Sequence, residues 1–142
     1  MASNLLIVAA ILLAAGAFGL FRKRTDGRIR PYQDDAAAER LQPGEIGTAL
    51  GSRATFVQFS SATCQPCRAT ARVLSEVSSQ EDGVSHVELD AEAHLELVKR
   101  LGVLRTPTVF VLDGRGVITG RSAGLLRRQE AVAALASAAS AA

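Results

Sequence analysis

The apolar run Thr55 to Phe59 and the Cys64-Gln65-Pro66-Cys67 motif that follows it constrain this chain more than any other feature. The run predicts a strand. Cys67, Thr70, Ala71, Leu74 and Val77 then recur at helical spacing and predict a helix with one apolar face. Pro66 has no amide hydrogen and is pre-set for the first helical turn, so the helix opens inside the motif and Cys64 stands at its N-terminus. A strand therefore hands over to a helix through two thiols spaced to share a disulfide.

These are the only cysteines, 2 in 142 residues. Both fall in one short motif, a usage that points to thiol chemistry and away from a structural staple. Unpaired N–H groups and the positive end of the helix dipole favour a thiolate at Cys64, which makes it the expected nucleophile. Cys67, one turn on, is placed to attack a mixed disulfide and is the expected resolving thiol. Two other readings use the same residues. A zinc site would draw on His86 and His94, whose separation does not match the usual spacing of about three to five residues. Alternatively, the thiols are inert small hydrophobes, which is commoner for an isolated cysteine than for a pair flanking a proline.

Beyond the motif, Gln80 to Gly83 ends the helix, and His86 to Asp90 alternates as a strand. Glu92 to Leu101 predicts a second helix carrying His94, Leu97, Val98 and Leu101 on one face, with Gly102 at its C-terminus. His94 there is read as a packing residue. Thr108 to Leu112 is a continuous apolar run, expected to be a strand covered on both faces, and Asp113-Gly114-Arg115-Gly116 turns it into a short strand, Val117 to Thr119. An Ala-rich helix from about Arg127 to Ala139 closes the chain, with Val132, Leu135 and Ala136 expected to face the sheet.

This order of elements, with Cys64-Gln65-Pro66-Cys67, Thr106-Pro107-Thr108 and Gly124 after the hairpin, resembles the thioredoxin family from about Arg40 to Ala139. The resemblance implies an α/β thioredoxin-like fold, a central mixed sheet flanked by helices. It implies a cis peptide bond before Pro107 and a backbone at Thr106 that pairs with an extended client segment. Thr63, Gln65, Pro66 and Gly124 would complete the substrate platform. No cofactor or metal is expected beyond the Cys64–Cys67 disulfide itself. Three positions depart from the family pattern. Family members usually carry Trp immediately before the first Cys, where this chain has Thr63 and no Trp at all. Gln58 stands where thioredoxins bury an acid, and an amide cannot act as a general base near neutral pH. Gln65 replaces the familiar glycine and bears on the redox potential, in a direction the sequence does not give.

The N-terminus carries the second strong signal. Leu5 to Phe21 holds no charged side chain, and with Ser3 and Asn4 it reaches the roughly 17 to 25 residues a bilayer span needs. Residues 1–21 are thus expected to be a transmembrane anchor, 22–39 a basic juxtamembrane tether, and 40–142 the redox domain. A cleaved signal is the rival reading, but no Lys or Arg precedes the apolar run. A buried soluble helix is the other. Arg22, Lys23, Arg24, Arg28 and Arg30 all follow the span, which places the domain in the cytoplasm by charge and suits anionic headgroups. Membrane-tethered members of the family often work on exported proteins, which leaves an extracytoplasmic domain as the alternative. With 16 basic against 14 acidic residues and no basic stripe with interleaved aromatics, nothing points to nucleic acid.

The expected function is that of a single-pass, monomeric thiol–disulfide oxidoreductase acting on protein disulfides, with an unidentified electron donor. Arg68 adds positive potential beside the motif or is simply a solvated surface residue. The alternative is a non-catalytic binding module or soft-metal carrier using the same two thiols for copper or zinc.

Overall fold

A computed structural model describes residues 2–32 and 39–140. Five strands form one sheet in the order β1-β5-β4-β2-β3, built from β1 (Arg30–Pro31), β2 (Ala54–Ser60), β3 (Val84–Asp90), β4 (Thr108–Asp113) and β5 (Ile118–Ala123). β2 pairs parallel with β3 and antiparallel with β4, while β5 runs antiparallel to both β4 and β1. The sheet is therefore mixed, and β2, which joins its parallel and antiparallel parts, is buried at every position. Five helices accompany it: α1 (Ala2–Thr25), α2 (Pro43–Ile46), α3 (Gln65–Gln80), α4 (Leu95–Arg100) and α5 (Arg128–Ser140).

Alternation along β2 and β4 splits the core between the two sheet faces. Phe56, Val109 and Val111 meet Leu74 and Val77 of α3 and Ala131, Ala134, Leu135 and Ala138 of α5. On the other face Val57, Phe59, Phe110 and Leu112 meet Leu41, Ile46, Leu97 and Leu101. Phe59 and Phe110 pack edge to face, 5.9 Å between centroids. Truncating either ring to Ala would cost about 3 to 5 kcal/mol, since each is fully buried in a two-sided layer.

Several expectations are corrected. Of the three residues expected to turn α5 toward the sheet only Leu135 does; Val132 is 41% exposed and Ala136 is exposed. In an Ala-rich helix nearly every position is apolar, so periodicity does not mark the packing face; Ala131, Ala134, Leu135 and Ala138 do, by letting the helix approach closely. The strand expected at Val117 to Thr119 runs instead to Ala123, stabilised by β4 on one side and β1 on the other, with a register shift between Val111 and Leu112. The second helix starts at Leu95 rather than Glu92. Asp90 competes for that stretch: its side chain accepts the Glu92 N–H at 2.9 Å and its carbonyl the Ala93 N–H at 3.2 Å, holding a turn.

α1 continues past Phe21 to Thr25, and its apolar part, Leu6–Arg24, is long enough to cross a membrane and unburied. The tether expected after it is structured in its first part. The Gly27 N–H bonds to the Ala123 carbonyl at 3.2 Å, and Arg30 and Pro31 pair with Arg121 and Gly120. Residues 33–38 of that tether lie outside the described residues.

Candidate active site

Three strand ends converge on the motif. β2 ends at Ser60, and Ser61, Ala62 and Thr63 lead into Cys64, the N-cap of α3. β4 begins just after Pro107, and β5, antiparallel to it, ends at Ala123 beside Gly124. The Thr106–Pro107 bond is cis, as the resemblance implied. Ser61 Oγ and Thr106 Oγ1 lie 3.1 Å apart, and the Gly124 N–H donates to the Pro107 carbonyl at 2.8 Å, which ties the three segments together.

Cys64 and Cys67 form a disulfide, S–S 2.07 Å and Cα–Cα 5.2 Å. Their surroundings differ. Cys64 is half-buried, whereas Cys67 is 1% exposed. The Cys67 N–H donates to Cys64 Sγ at 3.1 Å, and Pro66, in the first turn, presents no competing donor. The helix N-terminus is thereby aimed at the outer sulfur, the one a partner can reach.

Thr63, Gln65 and Pro66, which flank the cysteines in sequence, are exposed, and Thr106 is half-buried. Pro107 is buried. Among the described residues neither the N–H nor the carbonyl of Thr106 has a hydrogen-bond partner, which leaves both for an extended segment. Leu104 stands 93% exposed nearby in sequence. Arg68 is exposed and donates to Gln65 Oε1 at 3.3 Å. Gly124 has φ +103, and a Cβ there would sit 2.4 Å from the Asp26 carboxylate. The space beside Gly124 is thus occupied by the segment following α1, where Asp26 also pairs with Arg105 at 2.7 Å.

Beneath the disulfide, Gln58 is fully buried. Its Nε2 donates to Ser60 Oγ at 2.8 Å, to the Cys67 carbonyl at 3.0 Å and to Glu88 Oε1 at 3.3 Å. Its Oε1 has no partner among the described residues. Ser60, Ser61, Ala62, Cys64, Cys67, Arg68, Glu88 and Asp90 line an open groove of ≈ 370 Å³. Sequence reasoning missed Glu88 and Ser60; the available signal was a lone amide within an apolar strand, facing a polar position of the neighbouring strand.

His86 and His94 do not join the cysteines. His86 lines a groove with Arg72, Glu76 and Glu88, and burial holds its pKa below the usual imidazole range despite the opposing pull of Glu88. The His94 Nδ1 lies 2.9 Å from the Asp90 carbonyl. Among the described residues no cluster of His, Cys, Asp and Glu is arranged to hold a metal ion.

Residues 48–139 match the model of the thioredoxin-like domain family. The chain belongs to that family. Solved thioredoxins share the fold. One from Nicotiana alata is 22% identical with a TM-score of 0.53, covering 60% of this chain and 72% of its own. A mutant thioredoxin from Halobacterium salinarum is 17% identical with a TM-score of 0.56, covering 62% and 76%. Spinach chloroplast thioredoxin f is 22% identical with a TM-score of 0.55, covering 62% and 72%. No curated protein matches the chain. A thioredoxin-like domain whose two cysteines lie at disulfide distance supports thiol–disulfide redox function.

Proposed function

We propose that this protein is a membrane-tethered thiol–disulfide oxidoreductase, exchanging two electrons with protein disulfides through Cys64 and Cys67. The carrying observation is the asymmetry of the pair: a half-buried cysteine at a helix N-cap, its sulfur receiving an N–H, joined to a cysteine that is almost wholly buried. Such a pair divides the work. Cys64 attacks a client disulfide as the thiolate, and Cys67 then displaces the client from Cys64 and closes the ring. The unpartnered backbone of Thr106 holds the client strand across Thr63, Gln65 and Pro66.

The full chain is expected to accelerate insulin reduction by dithiothreitol, and Cys64→Ser to remove at least about a thousandfold of that acceleration. Equal rates for the variant and the parent chain would end the exchange reading. α1 is the anchor, and the basic residues after it hold the domain on the cytoplasmic side. Cys64 in intact cells, after mild reduction, should resist a membrane-impermeant thiol reagent until the cells are permeabilised. Labelling without permeabilisation would place the domain outside.

A further inference from the structure

We propose that Glu88 receives the proton of Cys67 through the Ser60 hydroxyl when the mixed disulfide is resolved, an inference that rests on the exchange reading above. Cys67 is 1% exposed, and the open surface it lines is the groove it shares with Ser60 and Glu88, so its proton leaves on that side. Gln58, the buried side chain bonded to the Cys67 carbonyl, cannot take it near neutral pH. Its amide does set the direction of a relay. The Cys67 carbonyl only accepts, so the Gln58 NH₂ must face it, and the same nitrogen donates to Ser60 Oγ. With one lone pair engaged by Gln58, Ser60 turns its single hydrogen to Glu88 Oε1. Glu88 stands opposite Gln58 in the parallel β2–β3 register, and it shares the groove with Ser60 and both cysteines. The carboxylate that the β2 position lacks is supplied from the adjacent strand. The charged and titratable groups facing Glu88 are Arg68, Arg72 and Glu76 of α3, with His86 and Asp90 on its own strand.

The steps balance. The Cys64 thiolate attacks one sulfur of the client disulfide; that bond breaks, the Cys64–client bond forms, and the first client sulfur leaves as a thiolate. Cys67 then gives its proton to Ser60 as Ser60 passes its own to Glu88. The Cys67 sulfur attacks Cys64 Sγ, the Cys64–client bond breaks, and the second client thiolate leaves. Two electrons have moved from the two cysteines to the client, and Glu88 releases its proton to the departing thiolate or to water. Glu88 is a positioning residue for that proton, since it acts through Ser60.

The test follows the mixed disulfide by rapid quench, using the reduced full chain and a synthetic peptide with one internal disulfide. Glu88→Gln, which keeps an acceptor for Ser60, is expected to lengthen the lifetime of the mixed disulfide about tenfold near pH 6.5 while leaving the first attack unchanged. The gap should close by about pH 9, where a thiol ionises unaided. Equal lifetimes at every pH would overturn the role, and so would an equal slowing of both steps at every pH, which marks a packing effect. Failure of the parent chain to form any mixed disulfide would instead sink the exchange reading, and this proposal with it.

Discussion

Both ends of the central sheet bury a polar side chain at zero exposure, Asp113 at one end of β4 and Gln58 beside the cysteines, and the two are treated differently. Asp113 is saturated. One oxygen accepts the N–H groups of Arg115 and Val117, each at 2.9 Å, and the other takes the Arg115 guanidinium at 3.1 and 3.2 Å. Gln58 spreads its nitrogen over three acceptors and leaves its oxygen without a partner among the described residues. A closed network fixes a turn; an open one, next to a sulfur that must change bonding, leaves polar capacity for the reaction.

This contrast is sharpest at its extremes. Cys64→Ser should abolish exchange yet leave the unfolding of the reduced chain within about 0.5 kcal/mol of the parent, because it alters chemistry and little packing. A large stability loss would mean that the site end is as structural as the far end. Asp113→Asn should do the reverse, costing about 1 to 3 kcal/mol in denaturant unfolding with exchange retained once folded. Burial alone would raise the Asp113 pKa, but the N–H groups of Val117 and Arg115 and the Arg115 side chain outweigh it and hold the carboxyl below its usual range. Its contribution is therefore complete above the ordinary carboxylate range of about 4 and fades as pH falls through the lower folded value. The gap between the parent and Asp113→Asn should narrow in that acid window; a gap constant with pH would refute the charge-based account. The smallest effect is expected at Gly124→Ala, about 1 kcal/mol, from an unfavourable positive φ and displacement of the Asp26 carboxylate, with reduction of a small disulfide preserved. A cost matching that of Asp113→Asn would erase the distinction between the two ends.

Local chemistry made part of this fold and site legible. Pro66 and the spacing of Cys67, Thr70, Leu74 and Val77 mark where α3 starts and which face it buries, and the apolar run at β4 is unmistakable. β1 escaped because Arg30 and Pro31 carry no apolar pattern and are held by pairing with β5. The length of β5 was hidden by Gly120, Arg121 and Ser122, residues that tertiary pairing overrides. At the site, the thiols and Pro107 announce themselves within a few residues. The Ser60–Glu88 contact depends on the β2–β3 register, and the Asp26–Arg105 pair joins residues 79 apart, so neither leaves a local trace.

Asp26 and Gly27 tie a short neck to the sheet. Only residues 26–29 separate α1 from β1, at most roughly 14 Å of stretched backbone, and Asp26 is clamped by Arg105 while Gly27 is bonded to Ala123. If α1 lies in a bilayer, as proposed, so short a connection would keep the thiols near the lipid surface instead of letting them roam on a leash. Clients would then be sorted by how high their disulfide sits over the membrane as much as by the residues around it.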